Sequence, residues 1–151
     1  MVNRPKRIGT AGETGVVRAL RAGGFPHAER PALHGINDIG DITGTPGIAW
    51  EIKTGQTAKD ASPTQIETWA TEATREAVNA HADLWVLVVQ RRGFAPSRAA
   101  NWRAITTSHH WATLTGAPTP AVPHALIETH LAHLLVQLRA AGHGTPLEAT
   151  R

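Results

Sequence analysis

The chain of 151 residues contains no cysteine. Disulfide bonds, thiolate metal sites and cysteine nucleophiles are therefore excluded. The sequence also lacks any run of about 20 apolar residues, so it predicts no membrane span. The basic start is not followed by the apolar stretch that a secretory signal requires. These absences predict a soluble cytoplasmic protein without a membrane partner.

Two common catalytic motifs are missing as well. No GxxxxGK[ST] phosphate loop occurs, so the sequence does not indicate a nucleotide cofactor. No GxSxG element occurs, which leaves a serine triad with little support. Nine histidines invite a zinc interpretation, and His130 and His133 lie three residues apart. A zinc site needs a converging third ligand, and the competing interpretation gives these histidines packing or surface roles.

The charge balance is mildly positive, with a formal net charge of +3 and a sequence pI near 10.2. Such a balance fits a polyanionic partner such as nucleic acid, whereas solvated surface charge is the alternative. The basic residues concentrate in two groups, Arg4, Lys6 and Arg7 near the start, and Arg91, Arg92, Arg98 and Arg103 in the second half.

Hydrophobic patterning predicts one domain of mixed α/β class, with a central sheet flanked by helices. The predicted helices cover residues 10–22, 62–80 and 123–141, and the predicted strands cover 41–43, 48–54, 84–90 and 102–106, with 25–33 extended. The first two strands are expected to pair antiparallel through a Gly/Pro turn. The predicted order is thus helix, three strands, helix, two strands and a further C-terminal helix, once the extended segment is counted.

An aspartate and a Glu-x-Lys sequence flank that turn. Glu51 and Lys53 should share one face of their strand, because side chains alternate across a strand. The turn would bring Asp41 close to Glu51. Two converging carboxylates raise each other's pKa unless a cation intervenes, and Mg²⁺ needs only one or two carboxylates beside water and phosphate. Lys53 would then neutralise a phosphate. An ordinary exposed Glu–Lys ion pair is the alternative interpretation.

Two further residues add to this set. Glu13 lies on the apolar stripe of the first predicted helix, where it either joins the carboxylates or closes a capping box with Thr10. Gln65 lies in the first turn of the second predicted helix, from which it either reaches Lys53 or remains exposed. Asp38 is a second candidate beside Asp41, but Asp41 is preferred because residues 42–43 continue it into a strand.

The order and context of these residues resemble the PD-(D/E)XK nuclease superfamily, and most nearly the phage-type Holliday junction resolvase-like proteins. The resemblance rests on Glu13 in the first helix, Gly40-Asp41-Ile42, Glu51-Ile52-Lys53 and Gln65, and it spans about residues 8–107. It implies a restriction-endonuclease-like core over 8–107, with a C-terminal helical extension over 108–151, in a single domain covering 1–151.

The resemblance also implies roles for these residues. Asp41 and Glu51 would bind Mg²⁺ (or Mn²⁺) together with the Ile52 carbonyl, and Glu13 would assist directly or through water. Lys53 would act on the attacking water and the phosphate, with Gln65 as an auxiliary catalytic residue. The implied activity is hydrolysis of four-way DNA junctions by a homodimer in DNA recombination, in a host cell's cytoplasm if the gene is phage-borne. The expected DNA contacts are Arg4, Lys6, Arg7, His34, Arg91 and Arg92.

Two other functions remain open from the sequence. The first keeps the fold and the chemistry but changes the substrate, giving a nicking, flap or restriction-type endonuclease. The second is a non-catalytic DNA-binding module on the same fold, which would bind DNA with a steep salt dependence and cut nothing.

Overall fold

A four-stranded mixed sheet forms the centre of the structure, a computed structural model that describes residues 4–32 and 39–148. The strands are β1 (Ile48–Lys53), β2 (Leu84–Val89), β3 (Arg103–Thr107) and β4 (Leu126–His130), in that spatial order. β1 and β2 are parallel, while β3 is antiparallel to both β2 and β4. With helices on both faces, the predicted mixed α/β class is confirmed.

Within the described residues, five α-helices and one 3₁₀ helix surround the sheet. They are α1 (Arg4–Ala22), α2 (Gly55–Lys59), α3 (Pro63–Asn79), α4 (Ser108–Thr115), α5 (Leu131–Ala140) and the 3₁₀ helix Pro96–Asn101. None of these helices combines the length and the apolar character that a bilayer crossing demands, a finding that holds for the described residues.

The sheet buries a different core on each face. On one face Ile48, Trp50 and Ile52 of β1 pack in a cluster with residues of α1 and α5. On the other face Ala49 joins a cluster that contains the buried side of α3. The predicted alternation along β1 is therefore confirmed, and α3 covers the face on which Glu51 and Lys53 lie.

The start of α3 follows its sequence signals. The Ser62 side chain accepts a hydrogen bond from the Gln65 N–H at 3.1 Å, and Pro63 occupies the first turn. Proline is tolerated there because that position has no intrahelical acceptor for an N–H. A serine cap and a helix to about residue 80 were both predicted, and both are confirmed.

The first predicted helix begins too late. α1 starts at Arg4, so Thr10 lies within the helix rather than at its cap. The capping-box interpretation of Thr10 and Glu13 is therefore wrong. The basic residues Lys6 and Arg7 belong to the exposed early turns of α1.

The predicted antiparallel pairing of residues 41–43 with 48–54 is also wrong. Thr43 forms an isolated antiparallel bridge with Glu29, and the one backbone–backbone hydrogen bond from residues 41–43 to β1 runs from the Asp41 N–H to the Trp50 carbonyl at 2.7 Å. A short segment supplies too few backbone groups for a second ladder. The true neighbour of β1 is β2, which lies far along the chain and makes a parallel pair.

The predicted C-terminal helix 123–141 is half strand. Residues 126–130 form β4, which pairs with β3, and helix α5 begins only at Leu131. The apolar spacing of Ile127, Leu131 and Leu134 satisfies a helical period, but pairing with a distant strand overrides that local signal. Helix α4, capped by the Thr107 side chain, was not predicted.

Candidate active site

The first acidic residue, Asp41, lies against the outer edge of β1. β1 is an edge strand of the sheet, and its outer backbone groups are met by the segment that contains Asp41. Asp41 Oδ2 accepts the Ile52 N–H at 2.7 Å, and the Asp41 N–H donates to the Trp50 carbonyl at 2.7 Å. Because the N–H and C=O of one strand residue point to the same edge, the Ile52 carbonyl also faces the Asp41 side.

Gly40 allows this close approach. Its φ is 100°, a conformation that L side chains rarely adopt, and a Cβ placed there would lie 2.8 Å from the Trp50 carbonyl oxygen. A residue without a Cβ is therefore required immediately before Asp41. The glycine at this position therefore has a local structural reason.

Glu51 and Lys53 form the second part of the site. Lys53 Nζ lies 2.6 Å from Glu51 Oε1 and 2.8 Å from Glu72 Oε2 of α3. It also lies 5.6 Å from the ring centroid of Trp69, at cation–π distance. Glu51 is 6% exposed and Lys53 is half-buried, so the pair lies beneath α3 rather than on an open surface.

Glu13 enters the site from α1. Its Oε2 accepts a hydrogen bond from Arg30 Nε at 2.7 Å. The side chain lies near enough to Asp41 to raise the pKa of that carboxyl. Both Glu13 and Glu51 therefore act electrostatically on Asp41, while the sharing of one site by the three carboxylates stays a prediction.

The environment of Asp41 strongly perturbs the pKa of its carboxyl. Burial, reinforced by the negative charges of Glu51 and Glu13, raises the pKa of Asp41 from 3.8 to about 7. The Ile52 N–H and the Lys53 ammonium act in the opposite direction but do not offset the burial. A further positive charge beside this carboxyl would favour its ionised form.

Lys53 remains a cation. Burial acts to lower the pKa of its ammonium, but the hydrogen bonds to Glu51 and Glu72 outweigh burial, so the pKa is raised. The side chain is therefore a fixed positive charge at neutral pH. It cannot serve as a general base in this arrangement, and it is suited to holding an anion or orienting water.

The donors fit one hard cation of low ligand demand. Among residues 4–32 and 39–148, no group of three or more histidine, aspartate or glutamate side chains is placed to hold a metal ion. Asp41, Glu51 and the Ile52 carbonyl nevertheless supply oxygen ligands, and Mg²⁺ characteristically keeps several waters beside one or two carboxylates. The raised pKa of Asp41 indicates that a positive charge would be stabilising at this position. In the described part of the chain, the histidines form no zinc-type cluster.

Gln65 lies outside this group of contacts. The backbone N–H of Gln65 donates to Ser62 Oγ. The neighbour of Lys53 from α3 is instead Glu72, which the sequence analysis missed. Its signal was the i, i+3 spacing from Trp69, which places both side chains on the side of α3 that faces Lys53.

Gln90 is a second missed residue. It follows β2 and is buried, its N–H donates to the Lys53 carbonyl at 2.9 Å, and its Oε1 accepts the Gly55 N–H at 2.9 Å. These bonds fix the chain on both sides of Thr54, so they hold the end of β1 that carries Lys53. A lone glutamine after an apolar run gives no sequence signal for such a role.

The described residues among those predicted to contact DNA lie in two segments, the start of α1 and the turn after β2. Arg4, Lys6 and Arg7 are exposed in the first turns of α1. Arg91 hydrogen-bonds His130 at 2.9 Å, and Arg92 is exposed and paired with Asp60. The predicted residue His34 and the alternative ligand Asp38 lie outside the described residues.

Comparisons with protein-family models, with curated proteins and with solved structures find no match for this chain.

Proposed function

We propose that this protein is a Mg²⁺-dependent endonuclease that hydrolyses DNA phosphodiesters, with branched four-way junctions as its substrate and a PD-(D/E)XK-type core. The observation that carries the proposal is the convergence of Asp41, Glu51 and Glu13 at the free edge of β1, with Lys53 beside them. Asp41 lacks the positive charge that its burial demands, and a hard divalent ion supplies it.

Asp41, Glu51 and the Ile52 carbonyl would hold the ion, with Glu13 assisting. When bound, Mg²⁺ would supply positive charge that neutralises the phosphate and makes water a stronger nucleophile. Water adds to phosphorus as the P–O3′ bond breaks, and the products are a 5′-phosphate and a 3′-hydroxyl. The carboxylates would hold the ion in place, and its positive charge would relieve their mutual repulsion.

Lys53 has a partner for each state of the site. Without a divalent ion its ammonium is shared by Glu51 and Glu72. When Glu51 acts as a ligand, Glu72 still holds the lysine in place, so the ammonium remains directed at the reacting phosphate. Developing negative charge on that phosphate is then stabilised by a preorganised cation.

The test is incubation of the purified protein with labelled four-way junctions, flaps and linear duplexes in Mg²⁺ and in EDTA. We expect Mg²⁺-dependent cutting with preference for the junction. Lys53→Met should reduce the cutting rate by roughly 10²-fold, because a preorganised charge at the reacting group is lost. Glu67→Gln, which alters an exposed carboxylate of the same helix α3, is the matched control and should cut like the wild type.

The substrate arms separate the related activities. Preference for flaps or linear duplex over junctions would keep the chemistry and reject junction resolution. DNA binding without any Mg²⁺-dependent cutting would instead identify a non-catalytic module. The ion pairs of Glu13 with Arg30 and of Glu51 with Lys53 are the observation that favours this second candidate, because cations of the chain already neutralise two of the three carboxylates.

A further inference from the structure

A polar cleft lies at β4, apart from the Glu13, Asp41 and Glu51 carboxylates. It has a volume of about 370 Å³ and is lined by Arg91, Arg103, Glu128, Thr129, His130 and His133. Four of these six side chains are basic or can become so. The proposed nuclease chemistry uses none of them.

Arg91 supplies the cleft with hydrogen-bond donors for an anion, and one of them contacts His130. Arg91 Nη1 lies 2.9 Å from His130 Nε2. A guanidinium can only donate, so His130 Nε2 is the acceptor of this bond. The rings of His130 and His133 stack with centroids 5.3 Å apart and planes inclined by 10°. An anion entering here would accept the hydrogen bonds that Arg91 can donate.

The charge of the cleft is positive even with neutral histidines. Arg103 is paired with Glu128, which is the one acid among the lining residues, so these two charges cancel. The exposed Arg91 guanidinium pairs with no carboxylate in the described part of the chain; its side chain contacts His130 and lies 5.4 Å from the centroid of the Phe94 ring. His130 also caps α5 without a side-chain hydrogen bond, which adds the partial positive charge of a helix start.

The strand register relates the cleft to the carboxylate site. Lys53 is paired with Val89, Val89 with Arg103, and Arg103 with His130. Lys53 and His130 thus lie at the same end of the sheet and on the same face, separated by three strand spacings, or about 14 Å. That separation corresponds to about four nucleotide steps at the 3.4 Å rise of one B-form strand.

We propose that the cleft formed by Arg91, Arg103, His130 and His133 is a phosphate-binding site that holds a backbone phosphate of bound DNA away from the cleavage site. Its assignment to DNA rests on the proposed nuclease function. The cleft would fix the position of the strand and read no bases, because phosphate contacts orient a protein on nucleic acid without specifying sequence.

The test measures DNA binding in EDTA, where no cutting occurs, by fluorescence anisotropy across a series of KCl concentrations. Arg91→Gln should weaken binding of a labelled junction roughly tenfold, since a charge-assisted hydrogen bond is lost. It should also reduce the slope of log K against log salt by about 0.9. Glu128→Gln should tighten binding, because it removes the only acid of the cleft and frees Arg103. Arg18→Gln, at an exposed arginine of α1 outside the cleft, should bind like the wild type.

The proposal would be overturned if Arg91→Gln and Glu128→Gln bound DNA with the same affinity and salt slope as the wild type. Failure of the wild type to bind DNA would also overturn it. Inorganic phosphate is the second probe. If it shifts the His130 ring resonances in NMR spectra and DNA does not, the cleft takes free phosphate and the DNA assignment is overturned. Binding that responds as expected, without cutting in Mg²⁺, would retain the cleft and reject the nuclease.

Discussion

At the scale of single residues, the chemistry depends on where Asp41 lies. Its carboxylate is anchored by the Ile52 N–H but faces two other acidic side chains and little water. Burial and these neighbours raise the pKa of Asp41 to about 7, against 3.8 for the ordinary group. The folded chain therefore retains a proton over a pH range in which the unfolded chain has already released it.

The sign of this linkage gives the first prediction. Between about pH 4 and pH 7 the folded state binds more protons than the unfolded state, so the contribution of Asp41 to stability falls as pH rises. Each unit of pKa difference corresponds to about 1.4 kcal/mol. Asp41→Asn keeps an oxygen that accepts the Ile52 N–H but cannot ionise. In EDTA the variant should melt at a higher temperature than the wild type at about pH 8, and at a similar temperature at about pH 4.

Added Mg²⁺ provides the control for this prediction. A ligand that binds only the folded protein stabilises it by mass action, so Mg²⁺ at about pH 8 should raise the melting temperature of the wild type and not of Asp41→Asn. If the melting temperatures of the two proteins in EDTA depend on pH in the same way, the surroundings of Asp41 do not raise its pKa.

Glu72 gives the second prediction. Glu72 projects from α3, and its Oε2 lies 2.8 Å from Lys53 Nζ. It is the partner that Lys53 keeps if Glu51 binds an ion. Glu72→Gln should reduce the rate of DNA cutting about tenfold, since a misplaced catalytic group loses rate steeply, and should leave metal affinity unchanged. Single-turnover cleavage and metal titration measure the two effects. Loss of metal binding in this variant would assign Glu72 to the ion and not to the lysine.

At the scale of elements, the segment before β1 determines whether Asp41 reaches its position. Gly40 combines a φ of 100° with close contact to the Trp50 carbonyl. Gly93 has a similar φ of 87°, yet a Cβ there would have no heavy atom within 4 Å. The two glycines therefore separate backbone strain from the steric cost of approaching β1.

The third prediction compares alanine at these positions. Both Gly40→Ala and Gly93→Ala should lose stability by about 1–2 kcal/mol from the left-handed backbone conformation. Gly40→Ala should lose more, and it alone should weaken divalent metal binding, because its Cβ displaces the segment that carries Asp41. Thermal denaturation and metal titration of both variants test this. Equal losses at the two sites would mean that the segment can move away from β1 without consequence.

Sequence reasoning worked where the physical signal was local. The alternation along β1 placed Glu51 and Lys53 on one face, and their 2.6 Å contact agrees with that placement. The Ser62-Pro63 start of α3 was likewise readable. The pairing of β1 with β2 and the strand Leu126–His130 were not, because parallel and long-range ladders are decided by partners distant in sequence. Gln90 was missed for the same reason, whereas Glu72 was signalled by its i, i+3 spacing from Trp69 and was overlooked.

At the scale of the whole molecule, one chain offers one set of carboxylates at the edge of β1, whereas resolving a junction requires cuts in two opposed strands. The proposed function therefore requires two chains on one substrate. Light scattering of the complex with a four-way junction in EDTA should give a mass of two chains per junction. One chain per junction, accompanied by single nicks in Mg²⁺, would reject resolution and favour a nicking activity.

The central claim is that Asp41 and Glu51 share a divalent ion, and titration with Mn²⁺ followed by electron paramagnetic resonance tests it without any substrate. We predict that the wild type and Glu67→Gln remove free Mn²⁺ from solution, and that Asp41→Asn and Glu51→Gln bind it at least tenfold more weakly, since each lacks one charged ligand. Wild-type protein that leaves the Mn²⁺ signal unchanged, or variants that bind as tightly as the wild type, would contradict the account.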